Sequence, residues 1–344
     1  MRINRAALAS VLAFAMVAST AVAASAQSSH YHVVNKFTIG GTGSWDYLAL
    51  DTAGNRLFIA RENRVTVVDP STGHILGEIT GLNRAHGIAF AYPAGHGFIT
   101  SGGDSTVVMF DLKTLKVLAR TTAAMDCDGI LYDPATRHVF TFNGDAGSSS
   151  VIDTETGKLI RNITLPGKPE FGVSAGNGKV YVNIEDKSEV AEIDARAMTV
   201  TRHWPLAPCQ SPSGLAIDVA HHRLFSGCHS KVMAVSDAIA GKVVATPPIG
   251  SGVDANRFDS ATQYAFASTG DGKITVVHED SPDKYTVVDN VATMQGARTM
   301  ELDPRSHRLY TVSAQFGPAP AAVAGRRTRP PMIPGTFTLL VLDR

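Results

Sequence analysis

The chain has 344 residues, room for one large closed domain or two ordinary ones. Its 31 basic residues balance its 31 acidic ones, so no positive surplus exists to hold a nucleic-acid backbone or an anionic membrane by bulk charge. With 31 Gly, 17 Pro and only 18% charged residues, the composition is that of a turn-rich all-β protein and excludes a disordered chain or a coiled coil.

The first segment reads as an address. Met1-Arg2-Ile3-Asn4-Arg5 supplies positive charge, Ala7 to Val17 an apolar run too short to span a bilayer, and Ala24-Ser25-Ala26 a small-residue cleavage site. Residues 1–26 are therefore predicted to be a secretion signal, and 27–344 a single periplasmic or secreted domain. A lipid-anchored form is not expected, because the predicted cut lacks a Cys. Later stretches fall short of 18 apolar residues, so membrane insertion is not expected either.

Tyr31-His-Val-Val-Asn-Lys-Phe-Thr38 reads as a strand without a neighbour in sequence. A repeat follows. Tyr47-Leu-Ala-Leu-Asp51, Gly87-Ile-Ala-Phe-Ala91, Gly129-Ile-Leu-Tyr-Asp133, Gly172-Val-Ser-Ala-Gly176, Gly214-Leu-Ala-Ile-Asp218, Ala255-Asn-Arg-Phe-Asp259 and Thr299-Met-Glu-Leu-Asp303 recur every 40 to 44 residues. Each is followed, across a short turn of Pro, Gly, Asn, Asp or Ser, by a second apolar strand such as Arg56-Leu-Phe-Ile-Ala60. A third strand ends at Asp69, Asp111, Asp153, Asp194, Asp237 and Asp280, with Gly73, Gly157 and Gly241 four residues beyond their acids. That spacing fits an Asp-initiated turn finished by a glycine of positive φ, after which an outer strand begins.

Four antiparallel strands in each of seven units predict a seven-bladed β-propeller, because one such sheet cannot cover both of its faces alone. The seventh unit ends after its third strand, Phe337 to Leu342, so the strand at 31–38 is expected to complete it and hide a sheet edge. Of the three cysteines, Cys209 and Cys228 flank the first hairpin of one repeat at the same end and are the candidate disulfide; Cys127 is then a buried free thiol.

The runs Gly87-Ile-Ala-Phe90, Lys179-Val-Tyr-Val-Asn183 and Val67-Val-Asp-Pro-Ser-Thr-Gly73 resemble the repeats of the YVTN or YncE-like seven-bladed propellers over residues 31 to 344. The resemblance implies an exported propeller with a binding or scaffold role, and has distant lactonase relatives. Ala255-Asn-Arg-Phe258 departs from the pattern. The Glu, Asn and Asp ligand set of those lactonases is not reproduced residue by residue.

Innermost strands begin at one mouth of the channel. The residues just before each repeat are Asp46, His86, Asp128, Phe171, Ser213, Asp254 and Arg298, and the ends of the second strands add Arg61, Asp104, Asn143, Asp145, Asn183, Glu185, Cys228, His229 and Asp271. Arg298 and Arg61 could grip an anionic group, with Asn183 and His229 beside them. Asp46, Asp128 and Asp254 are candidate ligands for Ca²⁺ or Mg²⁺, with His86 as a candidate general base. Residues 317–334 form a Pro-rich insertion between the second and third strands of the last repeat, and Arg326, Arg327 and Arg329 mark it as a candidate lid or partner loop. His96, His138, His221, His222 and His307 fall in turns of different blades at the far face and are read as dispersed. Asn162-Ile-Thr164 matches a glycosylation triplet. The function expected is a monomeric module that binds a small molecule or a protein through its mouth; the competing class is a metal-assisted hydrolase or lactonase.

Overall fold

A computed structural model describes residues 28–319 and 330–344; the predicted signal 1–26 and the arginines Arg326, Arg327 and Arg329 lie outside the described residues. Seven four-stranded antiparallel sheets form a seven-bladed propeller. Six blades are consecutive in sequence. The seventh is made of Met300–Leu302, Leu309–Ser313, Thr338–Asp343 and, at its outer edge, His32–Thr38 from the start of the chain. His32 pairs with Asp343 and Thr38 with Thr338, so the first described strand latches the ring shut.

Apolar residues on the three inner strands of each blade explain the packing. Leu57, Phe58, Ile59 and Ala60 on a second strand are all fully buried, because both faces of that strand meet neighbouring blades. Outer strands are mostly exposed instead, as in Ile75–Thr80 and Leu159–Thr164, where Ile79 and Ile163 are the buried residues. Aromatic edges cross the seams: Phe58 stands 5.0 Å from Phe90, and Tyr31 stands 5.3 Å from Phe266. The Asp-initiated turns form as the spacing predicts, with the N–H of Gly73, Gly157 and Gly241 donating to the carbonyls of Asp69, Asp153 and Asp237 at 2.8, 2.9 and 2.8 Å. Gly73 takes φ of 70°, and a Cβ there would strike the Phe37 side chain of the latch strand.

Two local features depart from the sequence reading. The third strand of blade six does not stop at Asp280 but runs from Lys273 to Ser281, nine residues where other blades use five or six. Blade four is shifted by one residue against the glycine marker, with consequences for the mouth. Cys209 and Cys228 form a disulfide, and Cys127 is free and buried. Burial drives the Cys127 thiol up to about 12, so it stays protonated. Among the described residues no helix is long and apolar enough to cross a membrane.

Candidate functional site at the channel mouth

A β-bulge builds the mouth. At the start of the innermost strands the ladder skips, between Ala85 and Ile88, Cys127 and Ile130, Pro169 and Gly172, Pro212 and Leu215, and Val253 and Ala255. A bulge re-aims the extra residue away from the sheet. That places His86, Asp128, Glu170, Ser213 and Asp254 at equivalent positions. In blade four the register puts Glu170, not Phe171, in the ring, since Gly172 pairs where Ile130 does. Neighbouring blades hold the carbonyls of ring residues: Thr100 Oγ1 donates to Asp128 O at 2.6 Å, Asn183 Nδ2 to Ser213 O at 2.9 Å, and Thr299 Oγ1 to Asp46 O at 2.9 Å.

The side chains connect around most of the circle. Ser213 Oγ lies 3.2 Å from Asp254, Arg298 Nε 2.9 Å from Asp254, and Arg298 Nη2 3.4 Å from Asp46. Asp46 is hydrogen-bonded to His86 Nδ1, which also lies 3.5 Å from Asp128 Oδ1. Asp46, His86 and Asp128 each bring a ligand atom within 4.8 Å of the others. Asp254 stands apart from this trio, occupied by Arg298. His86 Nε2 and Asp128 Oδ1 are buried without a hydrogen-bond partner.

Negative charge exceeds its compensation here. Burial first, and then the charge of Asp46, pushes the Asp128 carboxyl up to about 7. Burial, and then Asp128, pushes Glu170 up to about 9, although Lys168 lies 3.9 Å away. Burial also raises Asp254 despite Arg298. For His86 burial alone would favour the neutral ring, but the bond to Asp46 and the charges of Asp128 and Asp46 outweigh it, and its pKa rises. Tyr47, buried below the ring 5.1 Å from the Phe171 ring, has its phenol pushed well above its usual value by burial and by Asp254, Asp128 and Asp46. Glu170 and Tyr47 were missed in the sequence. Glu170 is hidden by the shifted glycine, while Tyr47 stands in the repeat strand itself, one residue after the ring position.

Beside the ring opens a cavity of about 760 Å³ lined by Trp45, Phe316, Met332, Pro334 and Arg298. Its wall is the stem of the insertion, where Phe316 bridges to Met332 and the N–H of Gly317 donates to Pro331 O at 2.9 Å. A mostly apolar lining with one guanidinium, and with Thr42, Ser44 and Gln295 beside it, suits a small molecule with an anionic or carbonyl end.

Two curated proteins match part of the sequence, both called "Uncharacterized protein YncE". That of Salmonella typhi is 28% identical and that of Salmonella typhimurium 27% identical, each over 161 residues. The match spans 44% of this chain and 45% of each relative, so about half the length of those proteins is covered. No protein-family model matches. Among solved structures, the hydrazine synthase of Kuenenia stuttgartiensis superposes with a TM-score of 0.66 over 81% of this chain and 94% of that one, at 16% identity. That likeness shows the fold alone. The seven sheets and the latch strand decide the architecture. The chain is a seven-bladed β-propeller, similar over part of its length to the two YncE proteins.

Other residues expected at the mouth of this propeller have structural partners. Arg61 is 0% exposed and donates to the carbonyls of Ser44 at 3.2 Å, Thr42 at 2.9 Å, Gly43 at 3.3 Å and Gly40 at 3.4 Å, with its guanidinium 3.6 Å over the Phe337 ring. It therefore holds the loop of residues 40–44 and does not face the channel. Asn183 is equally buried, accepting a bond from Ser226 Oγ at 2.8 Å while clamping blade five. His229 is exposed on the rim. At the far face, His221 is not dispersed: Asp218, His221 and Glu279 form a second cluster able to coordinate a metal.

Proposed function

We propose that this is an exported propeller whose mouth holds a divalent cation on Asp46, His86 and Asp128, and which hydrolyses a small lactone or ester seated in the adjoining cavity. The observation that carries the reading is the convergence of those three ligand atoms within 4.8 Å, with Asp128 Oδ1 buried and unpartnered. Buried carboxylates without cations are costly, and a metal compensates them. An imidazole with two carboxylates accepts manganese or zinc as well as the harder calcium and magnesium. Such an ion polarises a carbonyl and makes bound water acidic.

The chain's own groups supply the rest. Arg298 lines the cavity and touches Asp46, so it is placed to orient an anionic or carbonyl end beside the metal ligands. Glu170, within electrostatic reach of Asp128, is the group placed to exchange a proton. Trp45 and Phe316 exclude water from an apolar substrate tail.

Capture without turnover is the second reading, favoured by the preformed cavity. The discriminating experiment measures metal content and turnover on a lactone and ester panel. The hydrolase reading expects one divalent ion per chain, metal-dependent turnover, and a loss of roughly 100-fold or more in Asp128→Asn. Metal-loaded protein that binds panel members but leaves them intact would make it a binding module. Fully folded protein that takes up no metal at the mouth would sink the metal reading altogether.

A further inference from the structure

The second cluster lies on the face opposite the mouth, at the seam between blades five and six. Asp218 ends the innermost strand Pro212–Asp218 of blade five, and buried aspartates recur at this place, as at Asp51, Asp133 and Asp259. Elsewhere a nearby side chain satisfies the acid: Arg56 reaches Asp51 at 2.6 Å, and the Thr136 hydroxyl reaches Asp133 at 2.7 Å. Asp218 likewise receives His221 Nδ1 at 2.6 Å. Blade six then adds a second acid. The lengthened strand Lys273–Ser281 delivers Glu279, 3% exposed, with its Oε1 3.1 Å from the same His221 nitrogen.

That nitrogen can give one proton, and Asp218 has it. Both oxygens of Glu279 are buried and lack any hydrogen-bond donor. Arg223 nearby is taken by Asp237 at 3.1 Å and Asp283 at 3.2 Å. A buried carboxylate facing another carboxylate across a shared imidazole calls for a cation between them.

We propose that Asp218, His221 and Glu279 hold one divalent transition-metal ion of the zinc class, clasping blade five to blade six. One imidazole nitrogen and two carboxylates are a zinc-type donor set, whereas calcium takes six to eight oxygens. Around a tetrahedral zinc with bonds of about 2.0 Å, neighbouring ligand atoms stand about 3.3 Å apart. The observed 2.6 and 3.1 Å need a small opening, which His221 can give from its turn, being partly exposed. On binding, the ring takes the Nε2–H form. This site is independent of the mouth.

The test is zinc calorimetry on chelator-treated full chain carrying Asp128→Asn, so that the mouth cluster contributes nothing. One equivalent should bind and raise the melting temperature, and calcium should do neither. Glu279→Gln and His221→Asn should each weaken zinc binding roughly 100-fold or more, with circular dichroism confirming the fold. If Glu279→Gln does not fold, the surface-placed His221→Asn decides alone. Undiminished zinc binding in the folded variants, calcium uptake in preference to zinc, or no zinc uptake by the parent would each overturn the assignment.

Discussion

Removing residues 28–38 abolishes cooperative folding of the propeller. The strand His32–Thr38 covers the edge of Thr338–Asp343 through a ladder that runs from His32 opposite Asp343 to Thr38 opposite Thr338. Ahead of it, Tyr31 is 4% exposed, packed 5.3 Å from Phe266 and 6.5 Å from Tyr264, and donates its hydroxyl to His307 O at 2.7 Å. Several ladder bonds at about 1 kcal/mol each, with one buried aromatic, are on the order of 5–10 kcal/mol. That matches the whole stability of an ordinary domain. Thermal and urea melts of the truncated chain should show no cooperative transition, and a synthetic peptide of residues 28–38 should restore one. A truncated chain that melts within a few degrees of the parent would show that the ring does not depend on its latch.

The second large effect is at Arg61. Its Met variant loses about 3 kcal/mol, because a buried guanidinium stops donating to loop carbonyls and stacking on Phe337. Burial pushes its pKa down to about 10, with Arg64 adding to the fall, so it remains charged at neutral pH. Lys is expected to rescue little, since an ammonium cannot reproduce the planar fork that reaches Ser44, Thr42 and Gly43 together. The urea midpoint reads the loss. Because residues 42–45 also line the cavity and precede Asp46, ligand affinity should fall alongside stability.

The architecture was legible because each blade repeats one hydrophobic rhythm, and a period of 40 to 44 residues leaves few other folds. The mouth was partly legible. Asp46, His86, Asp128, Asp254 and Arg298 stand at a constant offset from the repeat motif, and a bulge re-aims His86, Asp128 and Asp254. Glu170 escaped because Gly172 imitates the marker glycine one position late, and register is decided by pairing. Arg61 was misread for a different reason: the end of a second strand reaches the mouth face, but a long side chain there can turn into the neighbouring loop. The far-face cluster could not be seen at all, since Glu279 meets His221 only through the packing of two blades and an extended strand.

Anomalous diffraction from crystals soaked in manganese addresses the metal centre at the mouth most directly. A peak enclosed by Asp46, His86 and Asp128, with bonds of roughly 2.0–2.4 Å, is the predicted result, together with its loss in Asp128→Asn. Ordered side chains at those three positions with no anomalous density between them would contradict it.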